Sequence, residues 1–111
     1  MELDLQEFAK NKGLEIANKI LENYDESDIE ADPKVVEEEI YKRSLHESVG
    51  FFLEHGSINF DKELEKLRFN FGIKTGLSER KINIINHEEL LGNIIKFEAL
   101  DSLRDRGILI L

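Results

Sequence analysis

Phe71-Gly72-Ile73-Lys74-Thr75-Gly76-Leu77-Ser78-Glu79-Arg80-Lys81-Ile82-Asn83-Ile84-Ile85 is the stretch on which the fold turns. A small residue, Gly72, stands four before a second glycine, Gly76, and Leu77 and Ser78 follow at once. Ile82 and Ile85 come later at helical spacing. Two short helices that cross steeply need a small residue where they approach, a glycine in the turn, and apolar residues to pin the second helix to the first. Thr75-Gly76-Leu77-Ser78 supplies turn and N-cap chemistry, so residues 78–87 read as a helix in preference to the short strand that the β-branched run 81–85 would also allow.

Working outward, Phe60, Leu64, Leu67 and Phe71 fall at i, i+4, i+7 and i+11, one face of a helix that starts after Asn59 and leads into the turn. Upstream, Asp32-Pro33 is an N-cap followed by a first-turn proline. It opens a helix with the stripe Val36, Ile40, Leu45, Val49 and Phe52, and His55-Gly56 is its stop. Glu37, Glu38 and Glu39 lie near the positive end of that helix dipole. Residues 4–24 read as the first helix. Asp4 is its N-cap, Glu7 completes a capping-box spacing, and Leu3 and Phe8 have staple spacing. Its stripe is Ile16, Ala17, Ile20, Leu21 and Tyr24, and Gly13 either weakens it or admits a neighbouring helix. Residues 25–32, DESDIEAD, read as a solvated acidic loop or as an acidic contact surface. Residues 88–106 form the last helix, with Ile95, Leu100 and Leu103 inward, Gly92 as a break and Gly107 as the stop. The apolar end Ile108-Leu109-Ile110-Leu111 is expected to pack on the core, as a short strand, or to pair with a second copy. The expected fold is mainly α: a single-domain bundle of four or five helices with a steep corner at 68–87 and a short C-terminal strand.

The length of 111 residues fits one domain. No cysteine is present, which excludes disulfides and thiolate metal sites. No apolar run reaches membrane-span length, and the start MELDLQEF is acidic and amphipathic, unlike a signal or transit sequence, so a cytoplasmic location is expected. The net charge is −9, which argues against general nucleic-acid binding. The charge is uneven. From Lys62 to Lys81 there are six basic residues against three acidic ones, an excess of +3 that leaves −12 for the remainder. A basic face on an acidic body can dock on DNA in one orientation, and an acidic body can cover a basic protein surface.

The segment from Arg68 to His87 resembles the helix-turn-helix of DNA-binding proteins. The resemblance implies packing roles for Phe71, Leu77, Ile82 and Ile85, and outward recognition positions at Ser78, Glu79, Arg80, Asn83 and His87. Arg80 and Asn83 would read guanine and adenine, while Arg68, Lys74 and Lys81 would contact phosphates. Gly72, where alanine favours a helix more, the outward-facing Ile84 and the phosphate-repelling Glu79 depart from the pattern. Phe97 to Leu109 is similar to the end of a winged-helix module, in which a helix stops at a glycine and feeds a strand.

No catalytic chemistry is legible. His46, His55 and His87 include no pair at i, i+4, the spacing that sets two imidazoles on one helical face. Glu88 and Glu89, like Glu37, Glu38 and Glu39, lie in charged runs rather than in contrasting environments within a cleft. Ser44, Ser48 and Ser78 lack a nucleophile motif, and GIKTG is not a phosphate loop. The leading expectation is a non-enzymatic regulator without cofactor or metal, binding DNA as a dimer through Arg68, Lys74, Ser78, Arg80, Lys81 and Asn83. The alternative is an acidic inhibitor, antitoxin-like or phage-encoded, that covers a basic site on a partner protein with Asp25, Glu26, Asp28, Glu30 and Asp32.

Overall fold

The computed structural model describes residues 4–108. The described chain is all-α, with six helices: α1 (Leu5–Asn23), α2 (Glu26–Ala31), α3 (Pro33–His55), α4 (Asp61–Thr75), α5 (Glu79–Asn83) and α6 (His87–Asp105). A single 3-10 turn, Ile58–Phe60, precedes α4. Asp4 caps α1 by accepting hydrogen bonds from the N–H groups of Gln6 and Glu7, and Pro33 stands in the first turn of α3. Gly56, Gly76 and Gly107, at φ of 73°, 72° and 83°, end α3, α4 and α6. No helix among the described residues is long and apolar enough to cross a membrane.

α6 is the central element. Leu90, Leu91, Ile94, Ile95, Ala99 and Leu103 bury most of its circumference against α1 on one side and α3 on the other. α3 runs antiparallel to it: the Ser48 hydroxyl donates to the Glu88 carbonyl at 2.6 Å, and Lys96 meets Glu37 at 2.9 Å. α1 runs parallel to α6, with Gly13 against Glu98 and Ala99, and Asn18 accepting from Arg106. A Cβ on Gly13 would lie 2.5 Å from the Glu98 Cβ, so the glycine serves close helix approach. Gly92, expected as a break, lies inside an unbroken α6. A Cβ there would stand 3.3 Å from the Leu45 Cα, so its small size lets α3 and α6 meet. α4 packs beside the same helix through Phe71 on Phe97, and α5 folds against α4.

The expected stripes are buried at Ile16, Ala17, Ile20, Val36, Ile40, Phe52, Phe60, Leu64, Leu67, Phe71, Ile95 and Leu103. The acidic stretch 25–32 is a helix over Glu26–Ala31 rather than a loop. Ile29 is wholly buried and anchors it, while the Asp28 carboxylate accepts from the Asp25 N–H at 3.2 Å. The helix read over 78–87 is shorter, because Asn86 accepts from the Glu89 N–H and so begins α6. No strand occurs among the described residues; Leu3 and residues 109–111, where a staple and a terminal strand were expected, lie outside them. Ile108 packs on the core.

Candidate functional site

Two surfaces carry the residues that the sequence singles out: the α4–α5 corner and the acidic α2 segment. The corner is built by Gly76, which closes α4 through its N–H to the Gly72 carbonyl at 2.9 Å. The Ser78 hydroxyl then accepts from the Lys81 N–H and starts α5. Ile82 is buried, Ile85 half-buried, and the Ile82 side chain is the nearest one over Gly72. Leu77, expected to pack, is 38% exposed.

The six residues expected on DNA do not share one fate. Arg68 turns inward and donates to the carbonyls of Ile82 and Ile85, at 2.8 and 2.7 Å. It thereby gives a charged donor to carbonyls at and just beyond the end of α5, of which that of Ile82 also accepts from the Ile85 N–H at 3.2 Å. Lys74 pairs with Asp101 at 3.0 Å and lies over the Phe97 ring. Both cations are engaged within the fold. Ser78, Arg80, Lys81 and Asn83 are exposed on α5, and neither Arg80 nor Lys81 joins an ion pair among the described residues. His87, an expected recognition position, instead sits edge-on to Phe52, 4.7 Å between centroids, at the start of α6.

The corner also holds apolar surface that sequence reasoning missed. Phe69 and Ile73 are each 69% exposed and Ile84 is 80% exposed. With Gly72, Leu77 and Ile82, Phe69 and Ile73 line an open groove between α4 and α5, whose rim carries Lys66 and Glu79. A signal was present. The buried stripe Leu64-Leu67-Phe71 leaves Phe69, Ile73 and Leu77 as a second stripe at i, i+4, i+8 that the first core cannot absorb.

At the acidic segment, residues 22–32 hold six carboxylates and no lysine or arginine. Asp25, Glu26, Asp28, Glu30 and Asp32 are all exposed, and none makes an ion pair among the described residues. Ile29 and the caps fix the helix that carries them, so their spacing is held by the backbone rather than left to a mobile chain. Such a face offers carboxylates free of ion pairing within the described residues, screened only by solvent and salt, to a cationic surface. Among the described residues no three metal-ligating side chains come together.

Comparison with known proteins gives no matching family model, and no curated protein or solved structure shows significant similarity to the chain. The functional reading therefore rests on these surfaces.

Proposed function

We propose that this chain is a non-enzymatic, cytoplasmic protein-binding protein that covers a basic site on a partner with the acidic face of α2. One contrast carries the reading. The carboxylates of residues 25–32 are exposed and outside any ion pair on and beside a formed helix, whereas Arg68 is held by the carbonyls of Ile82 and Ile85 and the exposed Lys74 is paired with Asp101 at the surface. Electrostatic complementarity of this kind acts mainly on encounter rate. Among the described residues Glu26 and Glu30 make no capping contact, so changing them removes none. Glu26→Gln with Glu30→Gln should slow association with the partner about tenfold at low salt, with little change at high salt. An unaltered on-rate would remove α2 from the interface.

A second reading retains a specific observation. Ser78, Arg80, Lys81 and Asn83 stand exposed on α5, the helix that the sequence likens to a recognition helix. A dimer presenting two such helices would read DNA through Arg80 and Asn83. Arg80→Ala would then cost about 1–3 kcal/mol of specific binding in a gel-shift titration, and unchanged binding would exclude Arg80 from a DNA site.

A further inference from the structure

We propose that the apolar groove between α4 and α5 docks a second copy of this chain, in a two-fold pairing that sets α4 antiparallel to α4 of the other copy. The groove is an exposed apolar surface: Phe69 and Ile73 project from it, each 69% exposed, with Leu77 beside them. Gly72 adds no side chain of its own, and the Ile82 side chain, 3.7 Å from where a Gly72 Cβ would stand, forms the floor between the helices. A two-fold contact needs a surface complementary to itself. The charges around the stripe meet that condition. Glu65 and Lys66 line one end, and Glu79 lines the other. An axis through the middle of the stripe brings Lys66 of one copy to Glu79 of the other, so that an opposite-charge contact is made twice.

The charge of the whole chain favours the same surface. Copies of a molecule with net charge −9 repel wherever the acidic excess lies, and residues 62–81, which contain the groove, are where that excess is absent. The pairing leaves the acidic face of α2 free, so each dimer presents it twice.

Sedimentation equilibrium of the full chain tests the pairing, because no ligand is needed. The wild-type mass should rise from 12.9 kDa toward twice that value between about 10 µM and 1 mM, the weak range expected of a small interface. Phe69→Asp with Ile73→Asp, both at exposed positions, should hold the chain at the monomer mass with an unchanged far-ultraviolet circular dichroism spectrum. Lys66→Glu should weaken association at least fivefold, and adding Glu79→Lys in the same chain should restore it. A wild-type chain that stays monomeric overturns the proposal and leaves the groove to a different protein. So does association that survives the Phe69 and Ile73 changes, which places it on another surface. Failure of Glu79→Lys to rescue Lys66→Glu overturns the antiparallel pairing.

Discussion

Gly13 and Gly50 both occupy helix interiors, yet their neighbourhoods demand opposite outcomes from the same substitution. A Cβ at Gly13 would meet the Glu98 Cβ at 2.5 Å and the Ala99 backbone nitrogen at 2.8 Å, and that backbone cannot step aside without parting α1 from α6. Gly13→Ala should destabilise by about 1–3 kcal/mol. Gly50 has nothing within 4 Å of the added carbon, so Gly50→Ala should stabilise by about 0.5–1 kcal/mol through reduced freedom of the unfolded chain. Urea denaturation of the two variants checks both signs. Arg68 shows what a sequence hides at this scale. Its type and position suit a phosphate contact, but the two carbonyls that claim it are 14 and 17 residues downstream, at a helix end whose place the sequence did not fix. Arg68→Ala should cost about 1.5–3 kcal/mol of stability, the range for hydrogen bonds to a charged group. A variant as stable as the wild type would free Arg68 for an outside ligand.

Among the elements, the long helices were legible because period and punctuation agreed. Asp4, Pro33, Gly56, Gly76 and Gly107 stand at helix ends, and the stripes between them point inward. The short elements were less legible: the sequence reads as a loop or contact surface at α2 and as a longer helix at α5, since their extent depends on partners elsewhere. α2 holds one buried side chain, Ile29, too little to mark a period, and its helix forms because that residue finds the core beside α3. α5 stops early because Asn86 caps the next helix, a competition between neighbours that a window of residues 78–87 does not resolve. Ser44 and Ser48 are wholly buried on α3, where a stripe of apolar residues was expected to do all the packing. Their hydroxyls donate to the carbonyls of Ile40 and Glu88, which makes burial tolerable. Lys12 of α1, paired with Glu15 one turn on and with Glu47 of α3, carries a pH signature. A hydrogen bond that the Lys12 ammonium donates to the Glu15 carboxylate, with the nearby charge of Glu47, holds its pKa above the ordinary value of 10.5, against an opposing pull from burial. Because the folded value is raised, this contribution to stability is fully present below the unfolded value and is lost as pH rises through the folded one. The stability difference between wild type and Lys12→Met, followed by thermal unfolding, should therefore shrink as pH rises above 10.5. A constant difference would mean that Lys12 acts through packing of its stem alone.

For the whole molecule, the distribution of charge matters more than its total. The α1–α3–α6 body holds the core, the α2 end concentrates carboxylates, and the α4–α5 corner combines the local positive excess with an apolar groove. The sequence favours a basic-faced DNA binder and keeps an acidic binding protein as the alternative, since both depend on which charges remain free after folding. In the fold Arg68 and Lys74 have partners within the chain, while the carboxylates of DESDIEAD are exposed around the buried Ile29. The groove was missed because attention to a buried stripe passes over apolar residues that fall outside its phase. The central claim is that the acidic face of α2 binds a basic partner protein. Its most direct test is capture of partners from native host lysate by the wild type and by Glu26→Gln with Glu30→Gln, each with and without nuclease. The account predicts one stoichiometric basic protein, retained after nuclease and depleted with the double variant. A discrete DNA fragment held by both forms, and released by Arg80→Ala, would contradict it.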